Sequence, residues 1–155
     1  MNRITHLTIL FNPKSLILIL MVILSGCTQK FISDYDQRTD NAVTSLQRTF
    51  ETFFVTLDAL VERDKCEYLN HIIFYQNSKI DISSIQVRAK ALTKNEITVE
   101  QISLLSDSLT SVEKLHKLGC FSTEQIENLR SSFNSSFTAI LKLELAKKRT
   151  QSPYN

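Results

Sequence analysis

Glycine, proline and tryptophan are scarce in this 155-residue sequence, which has two glycines, two prolines and no tryptophan. Gly119 and Pro153 are the only glycine and proline after Cys27. Phosphate-cradling loops, dinucleotide-binding fingerprints and turn-dense β-sandwiches are all built with such residues. Their scarcity argues against these classes and favours long, uninterrupted elements of secondary structure.

An excess of charge is also missing. The net charge of +2 comes from Arg3 and Lys14, and the chain from Cys27 onward has 16 basic and 16 acidic residues. A balanced surface lacks the positive field that attracts nucleic acids, so we expect no nucleic-acid partner. The length suits one domain with a single hydrophobic core.

One long apolar run is present, and it lies near the N-terminus. Arg3 and Lys14 precede the nine apolar residues Leu16–Leu24. As a helix this run would measure about 13.5 Å, less than half of a hydrocarbon core of about 30 Å. The run is therefore typical of a signal peptide rather than a membrane anchor, and we assign residues 1–26 to it.

The tetrapeptide Leu24–Cys27 ends this segment and resembles the lipobox of bacterial lipoprotein precursors. The resemblance implies that the Cys27 thiol is joined to diacylglycerol, that the chain is cut before Cys27 and that the new amine is acylated. Thr28 follows Cys27 where an Asp would retain the product in the inner membrane. We therefore expect outer-membrane attachment facing the periplasm, with residues 27–33 as the lipidated N-terminus and tether.

A second resemblance involves the segments Ser33–Asp36, Thr39–Asp40 and Val43–Gln47. These segments are similar to the beginning of a group of small, uncharacterised proteobacterial lipoproteins, and the similarity extends to Arg149. It implies a lipoprotein with a helical domain. It implies no activity.

Apolar residues spaced three and four apart predict three amphipathic helices. The first carries Val43, Leu46, Phe50, Phe53, Leu57 and Leu60; the next carries Ile102, Leu105, Leu109, Val112 and Leu115; the last carries Ile126, Leu129, Phe133, Phe137 and Ile140. We expect Phe50, Phe53, Phe133 and Phe137 at the centre of the core.

Local signals mark the ends of these helices. Thr98 with Gln101, and Ser122 with Gln125, have the spacing of capping boxes. Gly119 suits a left-handed C-terminal cap. The basic segment Lys147–Arg149 suits the negative end of the last helix dipole, an interpretation that we prefer to binding of anionic lipids.

A further helix is predicted between about Glu67 and Leu92. Its expected inner face comprises Leu69, Ile73, Ile80, Ser84, Val87 and Ala91. Residues 80–82 and 85–87 also alternate like a strand, but no Gly or Pro marks a hairpin. Residues 34–150 are therefore expected to form an all-α, antiparallel four-helix bundle, followed by a tail at 151–155. The alternative is a three-helix bundle with an irregular second segment.

This topology brings Cys66 and Cys120 to the same end of the bundle. In the oxidising periplasm we expect a disulfide between them. A metal site is an alternative, because His71 and His116 converge at the same end and two sulfurs with two nitrogens suit zinc. Free thiols are a third possibility.

Enzyme motifs are not recognisable in the sequence, so we expect a non-enzymatic protein that needs no cofactor. The helices that follow Thr98 and Ser122 carry small hydroxyl residues where Lys and Glu are usual. Such surfaces permit close approach of another helix, although compositional bias would produce the same pattern. The candidate partner surface comprises Ser103, Ser106, Thr110, Ser132 and Ser135. The expected function is a lipid-anchored periplasmic module that binds a protein partner; the alternative is metal binding or sensing.

Overall fold

The computed structural model describes residues 32–61 and 63–151. The proposed signal peptide and the Cys27 lipidation site lie outside the described residues. The α-helices are α1 (Gln37–Asp58), α2 (Ile72–Lys90), α3 (Glu96–His116) and α4 (Thr123–Gln151). Two short 3-10 helices, Asp64–Cys66 and Tyr68–His71, lie between α1 and α2.

These helices form the predicted antiparallel four-helix bundle. α1 packs on α2 and α4, and α3 packs on the same two helices, so α2 and α4 lie at opposite corners. The three-helix alternative is wrong because residues 72–90 form one continuous helix. Over residues 32–61 and 63–151, no helix is long and apolar enough to cross a bilayer.

Aromatic rings fill the centre of the bundle. The centroid of the Phe50 ring lies 5.1, 4.8 and 5.2 Å from the ring centroids of Phe74, Phe133 and Phe137. Phe53 stacks on Phe74 with ring centroids 3.7 Å apart. The predicted aromatic core of Phe50, Phe53, Phe133 and Phe137 is therefore confirmed, since all four side chains are buried.

The two predicted capping boxes have different outcomes. At the start of α4, the backbone N–H of Gln125 donates to the Ser122 hydroxyl. The side-chain oxygen of Gln125 in turn accepts from the backbone N–H of Ser122. The box at Thr98 is wrong, because α3 already begins at Glu96 with Asn95 as its N-cap. Thr98 lies inside the helix, and its hydroxyl is used in a buried polar cluster.

The predicted inner face of α2 is also wrong. Ile73, Ile80 and Val87 are exposed, as is Leu69 in the preceding 3-10 helix. The face that enters the core comprises Tyr75, Ser78, Ile82, Ile85 and Ala89. Both faces carry large aliphatic residues, so periodicity alone does not identify the buried one. A similar error occurs in α3, where Leu115 is half exposed.

Candidate functional site

A disulfide bond joins Cys66, before α2, to Cys120, after α3. The two Cα atoms are 5.5 Å apart although 54 positions separate the residues. Cys66 is buried and Cys120 is exposed. Gly119, beside the disulfide, has a φ of +158°, a positive value that L residues rarely adopt and that differs from the predicted left-handed helical cap. Disulfides of this kind are typical of oxidising compartments outside the cytoplasm.

His116 lies next to this disulfide and is almost fully buried. Its Nε2 is 2.7 Å from the backbone carbonyl oxygen of Cys66, and its Nδ1 is 2.8 Å from the hydroxyl oxygen of Tyr75. Since a carbonyl only accepts, Nε2 carries the proton of the neutral ring and Nδ1 accepts from Tyr75. Burial lowers the pKa of the His116 imidazole, which favours this neutral form.

A charged cluster covers the same end of α3. The Glu113 carboxylate accepts hydrogen bonds from Tyr68 and Lys79 and forms a 3.1 Å ion pair with Lys117. Although burial by itself raises the pKa of the Glu113 carboxyl, these three donors outweigh it and lower the pKa to about 2. The cluster therefore keeps the Glu113 carboxylate ionised and supplies it with hydrogen-bond donors although it is buried. Its chemistry is that of a structural ion-pair network.

The metal site considered from Cys66, His71, His116 and Cys120 is not formed. Both sulfurs are consumed by the disulfide, and both ring nitrogens of His116 are hydrogen bonded within the chain. The His71 Nε2 lies 3.0 Å from the backbone oxygen of Lys65. Among the described residues, no group of three or more His, Cys, Asp or Glu side chains could hold a metal ion.

The opposite end of the bundle contains a buried polar cluster that the sequence analysis missed. Lys147 donates from Nζ to Asn95 Oδ1, Thr98 Oγ1 and Glu144 Oε1 at 2.6, 2.7 and 2.5 Å. The Ser33 hydroxyl donates to Asn95 Oδ1 at 2.8 Å. All five side chains are buried. The cluster therefore joins the segment before α1, the start of α3 and the end of α4.

The start of the described chain is held further by Asp36. Its carboxylate caps α1 by accepting from the Thr39 amide, and it pairs with Arg88 of α2 at 2.5 Å. The Arg88 guanidinium lowers the pKa of the Asp36 carboxyl well below its ordinary value. Ser33 also donates its backbone N–H to the carbonyl of Lys94 at 2.8 Å. The chain therefore enters the bundle at a fixed point.

The sequence predicts Lys147 as one of three cations at the negative end of the last helix dipole. Instead, Glu144 and Lys147 continue the buried stripe of α4 that includes Phe133, Phe137 and Ile140. The spacings of four and three residues, extended past Ile140, are the signal that could have found this pair. Charged residues are not counted in an apolar stripe, because Lys and Glu are rarely buried unless they are paired.

The predicted partner surface is divided between two places. Ser103, Ser106 and Thr110 on α3 are half-buried, and Ser103 lines a hollow of about 470 Å³ between α2 and α3. Ser132 and Ser135 on α4 are exposed, and Ser135 lines a separate hollow of about 570 Å³. Ser103 and Ser135 therefore line different hollows.

Comparison with known proteins adds no assignment. Neither a protein-family model, nor a curated protein, nor a solved structure matches the chain. Functional inference therefore depends on the residues and contacts of the chain itself.

Proposed function

We propose that this chain is a lipid-anchored periplasmic module that binds a protein partner in the cell envelope and is not an enzyme. The lipobox-like Leu24–Cys27 supports the anchor, and Thr28 supports the outer membrane as its location. The Cys66–Cys120 disulfide supports an oxidising compartment. His116, the most buried histidine of the described chain, is held between two hydrogen-bond partners, which is a structural arrangement.

The observation that carries the partner-binding proposal is how the hydroxyl side chains of α3 and α4 are used. Ser108, Thr110 and Ser111 donate to backbone carbonyls one turn earlier in α3. Ser135 and Ser136 do the same in α4. Because these donors are satisfied within their own helix, a partner can cover them without leaving unpaired donors. These hydroxyl side chains are small and uncharged, so another helix can pack closely against them.

The fixed entry of the chain bears on how this module would stand at a membrane. Ser33 is held by the polar cluster, so only residues 28–32 separate the cluster from Cys27. The six Cα–Cα steps from Cys27 to Ser33 span at most about 22 Å when fully extended. A lipid on Cys27 would therefore keep this end of the bundle close to the bilayer. The outer surfaces of α3 and α4 would extend from that end towards the disulfide.

The test combines the anchor with the surface. For the surface, Ser111→Arg with Ser135→Arg adds two bulky charges at exposed positions, one on each helix. Thr44→Arg with Thr56→Arg makes the matched change at exposed positions of α1. Photo-crosslinking in host membranes should give a discrete crosslinked protein with the wild type and the α1 variant, and lose it with the α3/α4 variant. Equal crosslinking in all three would refute the assignment of the surface.

The anchor has a separate readout. Mass spectrometry of the N-terminal peptide should show a diacylglycerol on Cys27, and Cys27→Ser should release the protein from the membrane or leave it unprocessed. Unchanged membrane fractionation of Cys27→Ser, together with an unmodified N-terminal peptide, would refute lipidation. Because this result does not depend on any helix surface, the two parts of the proposal fail independently.

A further inference from the structure

α2 has large aliphatic side chains on two opposite faces. Its inner face places Ile82 and Ile85 in the core. On the outer face, Ile73, Ile80 and Val87 are 66%, 65% and 67% exposed. Single exposed aliphatic residues are ordinary on protein surfaces, but a row of three on one helix is typical of an interaction surface. A helix that is apolar on both sides is expected to be covered on both sides.

The outer row has the spacing of a helix–helix contact. Ile73, Ile80 and Val87 recur every seven residues, and Asn77, Ser84 and Ala91 lie four positions after each of them. All six are exposed and none is charged. Steps of four and three, repeated over about 27 Å of helix, produce the continuous seam that is found in coiled coils. We call these six residues the α2 seam.

We propose that the α2 seam packs against the α2 seam of a second copy of this chain, with the two helices antiparallel about a two-fold axis. The reason is size complementarity within the seam itself. In an antiparallel pair, Ile73 lies opposite Ala91 of the second copy, Ile80 opposite Ser84 and Val87 opposite Asn77. Every large side chain then meets a smaller one, and the same contacts are made twice, as two-fold symmetry requires. This inference goes beyond the proposed function and needs neither the lipid nor the α3/α4 surface.

The size of the seam predicts a weak dimer. A strip about 27 Å long and about 10 Å wide provides several hundred Å² of contact on each chain, less than the roughly 800 Å² per partner of a standard stable interface. Such a contact is at the weak end of specific association, so we expect a dissociation constant between about 1 and 100 μM.

The charges beside the seam give a way to distinguish the antiparallel from the parallel orientation. Lys79 is paired with Glu113, and Arg88 with Asp36, within the same chain. Asp81 is exposed and adjacent to Ile80, so an antiparallel pair brings the two copies of Asp81 near the axis. A parallel pair would instead place Asp81 beside Gln76 of the second copy. Repulsion between like charges therefore predicts that Asp81→Asn, or added salt, tightens the antiparallel dimer.

Sedimentation equilibrium of the full, disulfide-bonded chain in excess detergent micelles tests the association. Ile80→Glu places one glutamate from each copy next to the two-fold axis, opposite Ser84 of the other copy. This change should weaken dimerisation at least about tenfold. Leu145→Glu is the matched control, because Leu145 is also exposed but lies on α4, at the opposite corner from α2. Circular dichroism of both variants checks that the bundle is intact. A wild-type chain that stays monomeric up to about 1 mM overturns the proposal.

Disulfide crosslinking tests the arrangement. Mixed chains carrying Ile73→Cys or Ala91→Cys should crosslink to each other, because these positions lie opposite in the antiparallel pair. Ile73→Cys alone should not crosslink, because its two copies would be about 27 Å apart. The wild-type chain in the same oxidant measures any contribution from its own cysteines. Self-crosslinking of Ile73→Cys, or no crosslinking of the mixture above the wild-type level, overturns the antiparallel pairing.

Discussion

The ion pair between Lys147 and Glu144 should make a single substitution more damaging than a double one. Lys147→Met keeps most of the apolar stem and removes the ammonium group that donates to Asn95, Thr98 and Glu144. Glu144 would then retain only a 3.2 Å hydrogen bond from Thr98. Its second oxygen is buried and has no hydrogen-bond partner among the described residues.

The expected loss follows from an isolated buried charge. Removing one partner of a buried pair costs about 3–5 kcal/mol, against a total free energy of unfolding of about 5–15 kcal/mol for a typical domain. Replacing both ions by apolar residues avoids the unpaired charge, although the Thr98 hydroxyl then loses its partners at a cost of about 1–3 kcal/mol. From the midpoints of these two ranges, the double variant Glu144→Leu with Lys147→Met should be about 2 kcal/mol more stable than Lys147→Met alone.

Urea unfolding followed by far-ultraviolet circular dichroism measures these differences in the disulfide-bonded protein. Lys148→Met is the matched control, because Lys148 is exposed and its removal should cost less than about 1 kcal/mol. Equal slopes with denaturant would show that the variants unfold from comparably compact states. If the losses from Glu144→Leu and Lys147→Met simply add, the reasoning about a buried, mutually dependent pair is wrong.

Three further predictions concern the core and the disulfide end. Phe137→Ala should lower the free energy of unfolding by about 3–5 kcal/mol, and an unchanged melting transition would contradict the packing of that ring. Replacing Cys66 and Cys120 by Ser should cost roughly 4 kcal/mol in urea unfolding, because the 54-residue loop is no longer closed; no loss would contradict this. Burial lowers the pKa of His116, so the unfolded chain binds a proton before the folded chain does. Stability should therefore decrease as the pH falls below about 6.5, and less so in His116→Gln; parallel pH profiles would count against this assignment.

Most of the fold was predictable because three helices each have one apolar stripe. In α1, Val43, Leu46, Phe50 and Phe53 all lie on the stripe that enters the core. The contact between Cys66 and Cys120 was also predictable, since alternating helix directions bring the two turns to one end. The start of α3 is not predictable in this way, because Asn95 is held by the carbonyl of Ala89 at the end of α2 and by Lys147, which is 52 positions away. Neither contact belongs to a capping pattern of α3.

The wrong prediction for the inner face of α2 has a different physical reason. Its outer row of Ile73, Ile80 and Val87 is as regular as its inner row, and a helical period does not indicate which side meets the core. The core selects the side that carries Tyr75, because the Tyr75 hydroxyl donates to His116 of α3 and the Tyr75 ring centroid lies 5.6 Å from that of Phe53 in α1. Ile73, Ile80 and Val87 are then left exposed to water, although their regular spacing is typical of a face that packs against another helix. The two-sided periodicity that makes the inner face ambiguous therefore also indicates that the outer row is covered, and the size complementarity of the α2 seam is what points to a second copy.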